Sequence, residues 1–333
     1  MKQSLQERCE AQIRNETAMR RVAKMEHEAV LKLCAMMHVN AGREVNPEHM
    51  KECNSILKSR VGVFSNFRGT LQRVVVAKMA IVDDPEAFID DVMDVYEKLK
   101  AGRKLPGEML AMAATTIVEN CPAEQRSEVV EKTRETYAKL KEKHPFLTDE
   151  SDMSLIALMI MAGNNPEQAA EEAEGLFQTM KKDYKISSDV AQSVAMVLSL
   201  SDKPVKQKLE GFFSLYEACK NAKHATARDK AMVIYSAFAD VDCDLNETVE
   251  AIGEVDDWLK RQKGYGAFSL GTSERRLFAT SIVLENMRAV NSAASSSVTN
   301  AISQAIIEEL VLILVMIILT GIIVSTNVTS SLV

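Results

Sequence analysis

The chain has 333 residues, 40 Lys and Arg against 47 Asp and Glu for a net charge of −7, and 47% hydrophobic residues of which few are aromatic. An acidic balance of this kind argues against a general nucleic-acid binder, whose phosphate contacts need a cationic surface. Six cysteines without a C-x-x-C pair point to reduced, buried thiols rather than a disulfide framework, and so to a cytoplasmic body.

Gln3 to about Met37 reads as one long helix, with Ile13, Val22, Met25, Ala29, Leu33 and Met37 on one face and Asn40, Ala41 and Gly42 as its stop. The charged residues from Lys2 to Glu10 stand where a signal peptide needs an apolar core. Asn46, Pro47 and Glu48 supply a cap, a proline at the first helical position and an acidic first turn for a second helix through Met50, Cys53 and Leu57. Residues 1–70 are therefore expected to form a helical cap over the open end of a repeat array.

From residue 71 onward the chain is periodic. An aromatic residue, two others, an apolar residue and a lysine recur as Tyr96 to Lys100, Tyr137 to Lys141, Phe177 to Lys181 and Tyr216 to Lys220. A fifth copy, Asp256 to Lys260, has lost the aromatic, and the five lysines lie 41, 40, 39 and 40 residues apart. Each phrase is preceded by an apolar segment that ends in small polar residues, usually with a proline, as at Asp83, Asp84 and Pro85 or Asn164, Asn165 and Pro166. One helix thus stops and another starts within a few residues. With β-branched alternation scarce, the fold class is all-α: an array of antiparallel helix-hairpin repeats of about 40-residue period over residues 71–290. Lysines gather at the end of every second helix and acids at its start. That pattern complements the helix dipole, and stacked in register it also gives the array one basic and one acidic edge.

Two loops carry the candidate binding residues: Phe64, Phe67 and Arg68 between Val61 and Gly69, and His144, Asp149 and Asp152 in the connection that begins at Lys143. The bland reading has both phenylalanines plugging the cap onto the first repeat, Arg68 meeting a helix carboxyl end, and Thr148 or Ser151 capping the next helix. The alternative brings His144, Asp149, Glu150, Asp152 and Arg68 together as a divalent-ion or acid–base cluster of a soluble enzyme or metal-binding protein.

Catalytic and metal motifs otherwise fail. Asp240, Asp242 and Asp244 open like a calcium loop, but Leu245 takes the glycine position and Ala251 that of the bidentate glutamate. His27 has Leu31 where a zinc helix needs its second histidine. No phosphate loop or nucleophile elbow is present, so no cofactor or metal is expected and a non-enzymatic role is favoured.

The loop motifs Val63 to Arg68, His144 to Thr148 with Asp152, and Ala191, Gln192 and Ser193 leading into Leu198, Ser199 and Leu200 resemble the signature stretches of an uncharacterised bacterial family. It is catalogued as domain of unknown function four-thousand-and-three. The resemblance spans roughly residues 10 to 290 and departs at Ser187 to Val190, where the family has an Asn-containing start. It implies no activity.

A small-polar linker, 291–300, leads to the C-terminal hydrophobic helix expected within 301–333. Leu310 to Val324 is apolar but for Thr320 and Gly321; extended to Val328 it measures ~28 Å as a helix, near the hydrocarbon thickness of a bilayer. The rival reading is a soluble helix capping the last repeat, although a segment apolar on every face does not suit a cap. Together these features point to a cytoplasmic helical-repeat scaffold that binds a protein partner and is tethered to a membrane through Leu310 to Val324.

Overall fold

The computed structural model describes residues 1–23, 26–226, 230–239, 241–266 and 269–291, together with Glu309, Val311, Leu312 and Val315. Through Asn291 they form thirteen α-helices and three 3-10 segments; Glu309, Val311, Leu312 and Val315 are helical as well, and no strand occurs among the described residues. In chain order the α-helices are α1 (Gln3–Val22), α2 (Glu28–Asn40), α3 (Pro47–Arg60), α4 (Gln72–Ile81), α5 (Pro85–Lys100), α6 (Glu108–Asn120) and α7 (Arg126–Lys143). The remainder are α8 (Met153–Met161), α9 (Pro166–Asp183), α10 (Ser188–Leu198), α11 (Val205–Asn221), α12 (Leu245–Lys260) and α13 (Thr272–Asn291). A 3-10 segment, Lys230–Phe238, fills the place of a helix between α11 and α12.

The helices fall into two kinds because their apolar residues are distributed in two ways. In α5 the buried positions are Phe88, Ile89, Val92, Val95, Tyr96 and Leu99, three or four apart and therefore on one face. In α6 every residue from Leu110 to Val118 is buried, and α8 is buried from Met153 to Ile160. A helix covered all round needs neighbours on all sides. The one-faced helices α1, α3, α5, α7, α9, α11 and α12 accordingly form an outer layer, with α2, α4, α6, α8, α10, the 3-10 segment and α13 packed inside it.

Local chemistry sets most outer-layer starts. Asn46, Asp84, Asn165 and Asp244 each accept hydrogen bonds from amides of the first turn, and Pro47, Pro85 and Pro166 occupy first helical positions. Pro122 and Pro204 act differently: α7 starts only at Arg126, and Pro204 stands just ahead of α11 without a side-chain cap.

Two expectations are corrected. The long N-terminal helix is two helices, because α1 ends at Val22 and the His27 ring accepts the Ala29 amide as the cap of α2. Nor does the N-terminal pair cover an open end. Helix α1 packs on α2, α3 and α13, so the two layers close into a ring. The Met1 ammonium reaches Glu254 at 2.5 Å, Arg8 reaches Glu285 at 3.7 Å, and Asn40 donates to Glu285 at 3.2 Å. Gly264, with φ of 85°, brings the α12–α13 loop so close to Arg20 and Glu28 that a Cβ there would stand 2.6 Å from each.

No described helix is long and apolar enough to cross a membrane. Most of the expected span Leu310 to Val324 lies outside the described residues, as do the 291–300 linker beyond Asn291 and Asp240. Its described members Val311, Leu312 and Val315 are buried in the common core.

Candidate functional site

Glu309 is a carboxyl buried in the interior of the described chain. It sits inside the ring, only 2% exposed, and its Oε2 accepts the Thr116 hydroxyl of α6 at 3.2 Å. Among the described residues its Oε1 has no donor, and the Ser154 hydroxyl of α8 faces the carboxyl without meeting hydrogen-bond geometry. Burial drives this carboxyl up to about 7, while the nearby Lys78 charge and the two hydroxyls pull the other way.

A cavity of about 390 Å³ opens beside it, bounded by Met37, Lys78, Phe88, Glu119, Arg126 and Leu312 among others. Each polar group has a reason for its place. Lys78, 5% exposed on α4, pairs with Glu119 at the end of α6. Arg126 opens α7, binds Asp91 of α5 at 2.5 Å and turns its Nε to the Cys121 carbonyl at 3.1 Å, satisfying the end of α6. The buried Lys78, paired with Glu119, thus lies near a carboxyl whose value burial raises into the neutral range.

Of the residues singled out in the loops, Asp149 and Asp152 share one 3-10 turn, while His144 and the residues from Phe64 to Arg68 have other surroundings. Phe67 is buried edge-on against Tyr96, with ring centroids 5.0 Å apart, whereas Phe64 is fully exposed rather than plugging the first repeat. Arg68 is half-buried at the end of a 3-10 turn, Asn66–Arg68. His144 bonds Glu174 of α9 at 2.6 Å and packs on Phe177. Asp149 caps the turn Glu150–Asp152 by accepting the Ser151 amide, and Asp152 accepts both the Asp149 amide and Gln192 Nε2. Capping thus falls to Asp149; the Thr148 hydroxyl is buried against Gln192 instead. Among the described residues no three His, Cys, Asp or Glu converge as a metal-ion set.

Two features escaped sequence reasoning. Glu309 carries no signal of its own in the sequence, because its surroundings are read only in three dimensions. Asp256 carried a signal, since it replaces the aromatic of the recurring phrase. There it lies 3% exposed and gathers Arg275 at 2.6 Å, His224 at 3.0 Å and Arg276 at 3.3 Å. Burial raises its pKa, but hydrogen bonds from Arg275 and His224 and the arginine charges outweigh this and hold it below the usual aspartate value.

The fold and site define an all-α protein with a closed double layer of helices and a buried acid at its interior. The chain belongs to the family described as "Protein of unknown function (DUF4003)", whose profile matches residues 16–313. The match runs past the expected limit near 290 and takes in Glu309, Val311 and Leu312. No curated protein and no solved structure matches the chain.

Proposed function

We propose that this protein is a non-catalytic scaffold, an array of helical hairpins of about 40 residues wound into a ring, whose interior receives an apolar protein segment. The observation that carries this reading is the burial of Glu309, Val311, Leu312 and Val315 against helices nearly two hundred residues earlier in the chain, as in the contact of Glu309 with Thr116. The chain's own Glu309, Val311, Leu312 and Val315 are the first occupant, and a partner segment of like chemistry, a run of branched aliphatic residues beginning with an acid, competes for the same seat. Inner helices that present apolar side chains and hydroxyls suit such a segment better than a polar substrate.

The test uses the full chain with Val311, Leu312 and Val315 each changed to Asp. The variant is expected to be cut by protease near residue 309, and to bind an added peptide of residues 305–320 that the wild type ignores. Unchanged protection together with no peptide binding contradicts the reading.

A further inference from the structure

The rim where outer helices end and inner helices begin carries three large apolar side chains that stand almost wholly in solvent, with Val63, 70% exposed, next to the first of them. Phe64 is 101% exposed, Phe146 98% and Leu105 92%. They sit on three consecutive loops that touch one another. Asn66 donates to the Pro106 carbonyl at 2.7 Å, and the Gly107 amide donates to Glu150 at 2.6 Å.

These tips do not project because their loops are loose. Phe64 precedes Ser65, which accepts the Phe67 amide, and Phe67 is locked in the core. Leu105 lies between the Arg103 amide, bonded to the Lys100 carbonyl at 2.9 Å, and Pro106. Phe146 lies between His144, held by Glu174, and Thr148, which is fully buried. Each tip is therefore fixed outward at the cost of its own hydration.

Within four residues of each tip along the chain is a cation that makes no ion pair among the described residues: Arg68, Lys104 and Lys143. Lys182, Lys185, Lys223 and Lys263 continue the positive charge, exposed, around the same rim. This occurs in a chain whose net charge is −7. A protein groove asks for a continuous apolar patch, whereas three separated apolar tips, each with a basic neighbour, match a bilayer surface. There an apolar side chain enters the acyl boundary while the cation stays among anionic headgroups.

The geometry points to the 61–71, 101–107 and 144–152 rim as a docking surface for an anionic lipid bilayer, with Phe64, Leu105 and Phe146 inserting and Arg68, Lys104 and Lys143 meeting the headgroups. This contact is reversible and peripheral, and it does not depend on a spanning helix.

The experiment is co-sedimentation of the full-length protein with phosphatidylcholine vesicles, with and without phosphatidylserine, at low and raised salt. Two triple variants keep the C-terminal segment constant: Phe64→Ser with Leu105→Ser and Phe146→Ser, and Arg68→Gln with Lys104→Gln and Lys143→Gln. Because all six side chains lie outside the core, both variants are expected to retain wild-type helicity and unfolding. The wild type is expected to bind only vesicles containing phosphatidylserine and to dissociate as salt shortens the Debye length. Removing the three cations is expected to weaken binding roughly a hundredfold, and removing the tips at least about tenfold. Equal binding to neutral vesicles, wild-type binding by either variant, or no binding at low salt overturns the proposal. Tip-dependent self-association in sedimentation velocity without vesicle binding overturns it in favour of an interface between copies of this chain.

Discussion

The Tyr265 hydroxyl donates to the Glu16 carboxylate at 2.5 Å, joining residues 249 apart in the chain. Both are fully buried, and Lys32 lies 4.2 Å over the Tyr265 ring with its Nζ 3.4 Å from Glu16 and 2.7 Å from Glu28. Burial and the Glu16 charge push the phenol well above its ordinary value, so it remains the donor. Ring closure thus rests on a charged group whose partners come from both ends of the helical body.

Cutting this knot has graded effects. Tyr265→Phe is expected to cost about 1.5 to 3 kcal/mol, the range for a hydrogen bond to a charged group. Lys32→Met leaves Glu16 with one fewer partner in the interior and is expected to cost about 3 to 5 kcal/mol. Urea unfolding of the two variants measures both; losses under about 0.5 kcal/mol for each show that closure does not depend on the cluster.

Protonation of Glu309 has a defined sign. Its carboxyl is raised by burial from 4.5 to about 7, so the folded chain binds more protons than the unfolded chain between those values. Stability from this group is present below about 4.5 and is lost as pH rises to about 7, by on the order of 3 kcal/mol at most. Lys78, Glu119, Thr116 and Ser154 face it and are unchanged by Glu309→Gln, which is expected to flatten thermal stability across that window. A variant that tracks the wild type at every pH contradicts the assignment.

The two phenylalanines of one loop are expected to separate in energy. Phe67→Ala empties a core position beside Tyr96 and is expected to cost about 3 to 5 kcal/mol. Phe64→Ala is expected to stay within about 0.5 kcal/mol, since its ring touches solvent. Chemical denaturation of both variants decides this, and equal losses contradict the placement.

Asp256 is expected to behave as a buried structural anion. Asp256→Ala leaves Arg275 buried and unpaired and is expected to cost about 3 to 5 kcal/mol. Because the folded aspartate titrates below its usual 3.8, its contribution is present above that value and disappears as pH falls through the depressed one. An acid unfolding curve that the substitution leaves unchanged sinks this account.

The chain by itself determined what depends on neighbours in sequence. Asn46 with Pro47, Asp84 with Pro85 and Asn165 with Pro166 start helices through bonds made within one turn, so their starts are legible as residue types. The all-helical class rests on the same local periodicity. Only the tertiary structure decided that Tyr265 finds Glu16 and that Phe67 is buried while Phe64 stands in water. It also made Glu309, which stands just before an apolar run, an interior acid against Thr116. These outcomes rest on contacts between distant residues, whose energies come from desolvation and packing, and no spacing along the chain encodes which distant groups will exclude water from one another.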